Sequence, residues 1–330
     1  MKKQLLQAVF GVAALSTAMV QAATWEPERP VEFVASAGAG GGTDTFARAI
    51  QAAINKDELM KQPIVVVNRG GGSGAEAYIQ AKGNKGDPYK LYFGTQESYV
   101  LPIASKLSYS VDDLRPLAVM VFDPFLLWVN ADNTGITDMP SFTEKVKAGG
   151  MKFGGARARE ADHTLVSLIE KATDSKVIYL PFRSGSEAAV QLAGGHIDAH
   201  VNNPIESLEH WRAGKQQPLC VFSDQRMPDT RPVAGDKAWA DIPTCKEVGL
   251  EVSNFVQPRM VWGAAGMPDE AVAYYVDLFT RVGQSPEWKS YVERAALVDK
   301  LTTGQELEQF IAADKAKYQD IYQKNGWARP

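Results

Sequence analysis

A glycine run at residues 37–44, Ala-Gly-Ala-Gly-Gly-Gly-Thr-Asp, follows one predicted strand and precedes a predicted helix. Glycine permits positive φ and lets a ligand approach the main chain closely. The free N–H groups and positive dipole end of the helix start form an anion site, with Thr43 or Asp44 as the expected cap. A turn that binds no ligand is the alternative. The residues expected to bind a ligand here are Ala37, Gly38, Ala39, Gly42, Thr43 and Asp44.

Nucleotide phosphate is a weaker interpretation of the same glycine run. The dinucleotide fingerprint is not matched, because Thr43 stands where the third glycine should be, and a Gly-Lys-Ser/Thr phosphate loop is absent as well. The sequence therefore favours a smaller anion than a nucleotide.

Three further segments supply polar groups at predicted strand ends. Phe182-Arg183-Ser184-Gly185-Ser186 joins a strand to a helix, and the planar Arg183 guanidinium suits a carboxylate. A surface arginine beside an ordinary helix cap is the alternative. The turn at 154–159 carries Arg157, which either contacts a ligand or pairs with a neighbouring acid. The remaining expected binding residues follow other predicted strands: Thr95, Gln96 and Asn203.

Enzyme and metal chemistry have little support. A serine hydrolase needs Gly-x-Ser-x-Gly, and Gly71-Gly72-Ser73-Gly74-Ala75 lacks the last glycine. His196, Asp198 and His200 would place three possible metal ligands on one strand face, but a buried or rim strand without a metal is the favoured interpretation. We therefore expect no catalytic residue, no metal site and no cofactor. An exported α/β enzyme that uses the glycine run for an anionic substrate or cofactor is the second hypothesis.

The elements that must position these groups alternate between strand and helix. Strands are predicted at 31–35, 63–67 and 89–93, with helices from 44 to 59 and from 74, which is a βαβαβ order typical of a parallel sheet. The order restarts near residue 151, so the sequence predicts two α/β lobes. Residues 269–323 read as helices throughout, and residues 117–129 as strand broken at Asp123-Pro124.

The first 22 residues read as a secretory signal peptide, with Lys2 and Lys3 before an apolar stretch and cleavage expected after Ala22. Composition agrees with an exported soluble protein: 35 basic and 39 acidic residues give a net charge of −4 without a basic block, which argues against nucleic acid as a partner. Cys220 and Cys245 form a disulfide or remain two buried thiols.

Several motifs in order resemble one family. These are Gly40-Gly41-Gly42-Thr43-Asp44, Val65-Val66-Val67-Asn68-Arg69, Pro181-Phe182-Arg183-Ser184-Gly185, Leu192-Ala193-Gly194-Gly195-His196-Ile197-Asp198, Asp241-Ile242-Pro243-Thr244 with Glu247, and Trp262-Gly263 near Met267-Pro268. Together they resemble the periplasmic solute-binding proteins of tripartite tricarboxylate transporters, the Bug family. The resemblance covers nearly the whole chain after the signal peptide.

The resemblance implies a two-lobed clamp of the Venus flytrap type, with a parallel-rich sheet in each lobe and hinge strands between them. It implies lobe 1 at 23–125 plus 253–330, lobe 2 at 126–252, and hinges at Pro124-Phe125 and at 251–253. The partners would be an organic carboxylate (di-, tri- or aromatic) and the membrane subunits of the transporter, and the chain would be a periplasmic monomer.

This sequence also departs from the family pattern. Residues 36–39 lack the usual prolines and aromatic residue, which predicts a roomier or differently shaped pocket. Arg157 stands where the family has a small turn, so it could meet a second carboxylate of the ligand.

Overall fold

The computed structural model describes residues 25–132, 135–252 and 254–329. The signal peptide and its cleavage position lie outside these residues. Thirteen strands and ten helices are found in them. The strands are β1 (Val31–Ala35), β2 (Ile64–Asn68), β3 (Lys90–Gly94), β4 (Leu114–Pro124), β5 (Leu126–Asn130), β6 (Lys152–Ala156), β7 (Ile178–Phe182), β8 (Ala199–Asn202), β9 (Gln216–Val221), β10 (Pro232–Ala234), β11 (Lys237–Ala238), β12 (Val256–Ala264) and β13 (Val298–Thr302). The helices are α1 (Gly42–Lys56), α2 (Ala75–Gly83), α3 (Glu97–Ala104), α4 (Met139–Ala148), α5 (Ala161–Thr173), α6 (Gly185–Ala193), α7 (Pro204–Arg212), α8 (Asp269–Gln284), α9 (Pro286–Arg294) and α10 (Gly304–Lys324).

The two main sheets are both mixed. The first has the order β13-β4-β12-β3-β1-β2, and the second has the order β7-β6-β8-β5-β9. Parallel pairing is confined to β1 with β2 and β3, and to β6 with β7 and β8, where helices make the crossovers. The strands that carry the chain into and out of each sheet, β4, β5, β9, β12 and β13, pair antiparallel. The fold is thus two α/β lobes, each built on one of these sheets.

The chain passes between the sheets at two places. β4 ends at Pro124 in the first sheet and β5 begins at Leu126 in the second, so Phe125 alone separates them. The return falls before β12. The rings of Phe125 and Phe255 lie 5.7 Å apart, and that of Tyr318 lies 6.1 Å from Phe255. We keep the lobe boundaries and hinges as predictions, and we call the parts around the two sheets the first and second lobe.

Apolar faces at helical spacing explain how the helices dock. Phe46, Ala47 and Ile50 of α1 are buried, as their spacing predicts, and the Phe46 ring meets that of Phe93 at 5.6 Å. Trp288 of α9 closes the same cluster, 6.1 Å from Phe46. This packing fixes α1, and therefore the glycine run before it, against the first sheet.

Two features settle or correct the sequence predictions. Cys220 and Cys245 form a disulfide, which the sequence left open. The region after residue 269 is not helical throughout, because β13 at Val298–Thr302 pairs with β4 along the sheet edge. Its short run of residues gave no strand signal distinct from the helices on both sides. Among the described residues, no helix combines the length and the apolar character needed to cross a membrane.

Candidate functional site

A cleft of about 470 Å³ opens between the two lobes and receives residues from both. Five helices begin at its wall, two from the first lobe and three from the second. Their N-cap residues all line it: Gly41, Gln96, Glu160, Ser184 and Asn203. The first N–H groups of a helix have no partner inside the helix, and its dipole is positive at that end. Five such ends therefore bring partial positive charge to one cavity.

Hydrogen bonds to Asp44 hold the glycine run in place. Its carboxylate accepts hydrogen bonds from the Gly40 N–H at 2.9 Å, from the Asn68 amide at 2.9 Å and from Arg48 Nε at 3.0 Å. Burial acts to raise the pKa of Asp44, but these partners outweigh it and hold the pKa below its ordinary value. Asp44 is 3% exposed and is not among the residues that line the cleft, and its hydrogen bonds support the loop; its contact with a ligand stays a prediction.

Neither expected cap is the N-cap of α1. The helix begins at Gly42, with Gly41 as a cap that supplies no side-chain bond. Gly40, at φ +78°, turns the chain just before it. A second glycine-rich loop, residues 70–74, packs against this run: a Cβ on Gly70 would lie 2.8 Å from the Gly38 nitrogen. That close approach favours a structural role for the second loop.

Thr95 and Gln96 reach the cleft at the end of β3. The Thr95 hydroxyl donates to Glu97, whose other carboxylate oxygen accepts from the Ser36 hydroxyl at 2.5 Å. The Gln96 amide donates to the Tyr318 hydroxyl at 3.3 Å, while its carbonyl oxygen is buried without a partner. Gln96 therefore carries one buried acceptor that no described residue satisfies.

Both predicted arginines of the second lobe already have acidic partners. Arg157, at φ +49°, donates through Nη1 to Glu160 at 3.1 Å. Arg183 Nε donates to Glu187 at 3.2 Å, and the Arg183 side chain is 93% exposed. Both residues line the cleft, but Arg183 stands at its rim beside the ordinary cap in which Ser184 accepts the Glu187 N–H.

Arg259 is a cleft residue that the sequence analysis missed. It lies on β12, is 8% exposed, and pairs with the buried Asp123 on the neighbouring strand β4. Its guanidinium lies against the start of α1, since a Cβ on Gly42 would be 2.8 Å from Nη1. The sequence did carry a signal for this pair, since Asp123 and Arg259 are each a single charge inside an apolar strand segment. Buried charges of opposite sign pair with each other, so the two could have been predicted as partners.

Four carboxyl side chains line the cleft in addition, which the sequence analysis did not foresee: Glu97, Glu160, Asp162 and Glu206. Burial raises the pKa of Asp162 to about 8, and the nearby acids Glu206 and Glu160 add to the effect. Burial likewise raises the pKa of Glu206 to about 7. The wall of the cleft thus carries both arginines and acids, and there are at least as many acids as arginines.

All of the predicted binding residues except Asp44 line this one cleft. The structure therefore brings together segments that are up to 166 positions apart, from Ala37 to Asn203. Their contact with a ligand stays a prediction.

The histidine segment at 196–200 lies elsewhere. Strand β8 begins only at Ala199, and the Asp198 carboxylate accepts the Lys152 N–H at 2.8 Å. His200 is fully buried, with Nε2 3.1 Å from the Ser207 hydroxyl, and burial lowers its pKa to about 3. Within residues 25–132, 135–252 and 254–329, no group of three or more His, Cys, Asp or Glu side chains is placed to hold a metal ion.

Two lobes around a polar cleft define a solute-binding protein of the periplasmic type. Residues 46–327 match the tripartite tricarboxylate transporter family receptor, TctC, and the chain belongs to this family. It is 25% identical over 328 residues to the protein BugT of Bordetella pertussis, covering 96% of this chain and 95% of BugT.

Two solved structures share the fold. A TctC solute-binding protein from Polaromonas, without ligand, superposes with a TM-score of 0.73 at 26% identity, covering 90% of this chain and 99% of that one. An R. palustris protein with adipate superposes with a TM-score of 0.78 at 22% identity, covering 92% of this chain and 99% of that one. The resemblance to the Bug family is confirmed. Because this is a family of receptors, the enzyme hypothesis is set aside.

Proposed function

We propose that this protein is a periplasmic receptor that holds an organic carboxylate between its lobes and delivers it to the membrane subunits of a tripartite tricarboxylate transporter. The observation that carries the proposal is the meeting of five helix N-termini, from both lobes, at one cleft. Such ends bind anions because their N–H groups are free and their dipoles are positive. The adipate complex of the R. palustris protein supports a carboxylate ligand for this fold.

The proposed binding mode uses both lobes at once. One ligand carboxylate lies between the glycine run at 38–42 and the start of α6 at 184–186, where backbone N–H groups replace its water shell. The Arg259 guanidinium, paired with Asp123, lies against the glycine run at the start of α1 and is the nearest buried cation to this position. Arg157 stands near enough to the cleft to meet a second carboxylate.

Export through the signal peptide at residues 1–22 places the receptor in the periplasm under this proposal. The disulfide between Cys220 and Cys245 supports it, because disulfides persist in oxidising compartments. The receptor would act as a monomer, with hinges at Pro124-Phe125 and at 251–253. Closure around the ligand would then present one composite surface to the transporter.

A thermal-shift screen of the protein without residues 1–22 tests the proposal. Mono-, di- and tricarboxylates are compared with sugars and nucleotides. A carboxylate at about 100 times its Kd should stabilise the fold by about 2.7 kcal/mol and raise the midpoint by several degrees. The variant Arg183→Ala should weaken the binding of that carboxylate, because Arg183 is the cation at the rim of the cleft.

Arg281→Ala is the matched control, because Arg281 makes a similar helical pair with Asp277 outside the cleft. It should leave ligand affinity unchanged. A response to sugars or nucleotides with none to any carboxylate would contradict the proposed function.

A further inference from the structure

A strained turn lies beside the cleft. Residues 157–160, which we call the cleft turn, join β6 to α5, and Arg157 and Glu160 line the cavity. Two of these four residues have a left-handed backbone without being glycine, since φ is +49° at Arg157 and +61° at Arg159. Such a conformation costs energy in a residue that has a Cβ, so neighbouring groups have to hold the turn in place.

Three aromatic side chains hold the cleft turn by hydrogen bonds. The Arg159 N–H donates to His163 Nδ1 at 3.0 Å. The Tyr179 hydroxyl donates to the Arg157 carbonyl at 2.9 Å, and a second tyrosine hydroxyl, that of Tyr322, donates to the carbonyl of residue 159. His163 and Tyr179 belong to the second lobe, whereas Tyr322 lies on α10, which packs on β4 of the first sheet. The cleft turn is therefore tied to both lobes.

The ring of His163 is itself fixed by packing. It stacks on the Tyr179 ring, with 4.0 Å between the centroids and 2° between the planes, and the Trp327 ring lies 4.4 Å from it on the segment after α10. The Asn325 amide of that segment donates to the Ser167 hydroxyl on α5 at 3.0 Å. These contacts keep His163 Nδ1 directed at the cleft turn.

The hydrogen bond between Arg159 and His163 requires a neutral imidazole. A ring nitrogen that accepts an N–H is unprotonated, so the neutral ring carries its proton on Nε2. A protonated ring carries an N–H on both nitrogens, and the Arg159 N–H would then face a second donor. Protonation of His163 thus removes one of the three bonds that hold the cleft turn and sets two donors against each other.

The ring of His163 has charged and titratable neighbours on the elements packed around it: Glu170 on α5, Arg157, Arg159 and Glu160 in the cleft turn, Tyr179 on β7 and Tyr322 on α10. Burial is the largest influence on the pKa of His163 and lowers it from the ordinary value of 6.5. Glu170 opposes burial, because its negative charge favours the protonated ring, while the positive charge of Arg159 lowers the pKa further. The phenols of Tyr179 and Tyr322 stay neutral, since burial raises the pKa of both. The ring is therefore neutral at pH 7 and becomes protonated only in a more acidic medium.

We propose that His163 is a positioning residue that makes solute binding depend on pH: its neutral ring holds the cleft turn in the geometry that binds, and its protonated ring releases the turn. The inference rests on the proposed function, because the cleft turn acts on a solute only if the cleft holds one. Binding then excludes a proton, so the affinity falls by at most about ten-fold for each pH unit below the pKa of His163.

Nuclear magnetic resonance of the protein without residues 1–22, and without any ligand, tests the positioning role. The imidazole nitrogen signals of His163 should show an unprotonated Nδ1 near pH 8 and a titration midpoint below about 6.5. The backbone amide of Arg159 should shift with the same midpoint, and its protection against hydrogen exchange should fall below it. An Arg159 amide that keeps its shift and protection while His163 titrates would overturn the inference.

Calorimetric titration between pH 5 and 8 tests the effect on binding, with malate, adipate and the acids found in the thermal-shift screen. His163→Asn places an amide oxygen where Nδ1 lies and cannot take up a proton, so at pH 8 it should bind as wild type does. At pH 5, wild type should have lost about three-fold more affinity than His163→Asn, a comparison that cancels the titration of the acids themselves. His163→Phe keeps a stacked ring without the acceptor and should bind about ten-fold more weakly than wild type at pH 8.

His196→Asn is the matched control, because His196 is exposed and lies outside the cleft. It should keep the pH dependence of wild type. The inference is wrong if wild type and His163→Asn lose affinity equally on acidification, or if His163→Phe binds as tightly as wild type at pH 8. If no carboxylate binds to the wild-type protein, the proposed function itself fails, and the response of the Arg159 amide still decides the role of His163.

Discussion

At the scale of single residues, two acids of the cleft differ from ordinary acids in their pKa. Asp162 and Glu206 both have a raised pKa, to about 8 and about 7, and burial is the largest cause in each case. Asp44 and Glu187, also in the first turns of their helices, have a lowered pKa because each is bonded to an arginine. A helix start by itself therefore does not stabilise the charge of Asp162.

The stability of the free protein should report this difference. Between pH 4 and 8 folded Asp162 keeps a proton that the unfolded chain releases, so ionisation above the unfolded pKa favours unfolding. Asp162→Asn should therefore be more stable than wild type, with a midpoint difference that grows from pH 5 to 8 to about 4 °C or more and then levels off. Thermal unfolding across this range measures it.

Glu187→Gln is the comparison of opposite sign. The backbone and guanidinium of Arg183 lower the pKa of Glu187, so its charge favours the folded state at neutral pH. Relative to wild type, Glu187→Gln should therefore gain no stability as the pH rises. A constant difference for Asp162→Asn from pH 5 to 9 would contradict an acid buried in its neutral form.

At the scale of elements, the glycine run depends on contacts that its own residues cannot supply. The N-cap Gly41 has no side chain, so the loop is held by Asp44 from inside α1, and by Asn68 at the end of β2. Strand β2 lies next to β1 in parallel, which places Asn68 beside Ala35. Three elements therefore set the position of one loop.

Asp44→Ala should test that dependence. It leaves the Gly40 N–H, the Asn68 amide and Arg48 without their acceptor, so we expect a loss of about 1–3 kcal/mol in urea unfolding. Ligand affinity should fall as well, because the loop loses its anchor. Asp138→Ala removes the N-cap of α4, outside the cleft, and should cost about 1 kcal/mol without affecting affinity. Unchanged affinity in Asp44→Ala would contradict the anchoring role.

At the scale of the whole molecule, the cleft belongs to neither lobe alone. The chain crosses between the sheets at Phe125 and again before Val256, and we propose that the lobes rotate about these crossings. Contacts also bridge the lobes just after α10, where the ring of Trp327 lies 4.4 Å from that of His163. A ligand held by both lobes should favour the closed arrangement.

Small-angle scattering measures this directly. A saturating carboxylate should reduce the radius of gyration, because in the proposed binding mode the ligand bridges the start of α1 and the start of α6. Arg183→Ala at the same ligand concentration should show a smaller change, while Arg281→Ala should behave as wild type. A ligand that binds fully and leaves the scattering curve unchanged would contradict closure.

Local sequence patterns determined much of this protein. Apolar spacing predicted α1 and the buried residue Phe46, and the β-branched run 64–67 predicted β2. Glycines between strand and helix predicted the loops that line the cleft. These features are local, since backbone freedom and the spacing of apolar residues act within a few positions.

Tertiary structure decided the rest. Antiparallel β12 and β13, the pairing of Asp123 with Arg259, and the gathering of Asp162 and Glu206 all join residues distant in the chain. Local propensity carries no information about such partners, because side-chain charge and burial depend on what the fold brings near. For the same reason the hydrogen bonds that join Asp44 to Gly40 and Asn68 could not be predicted from the sequence.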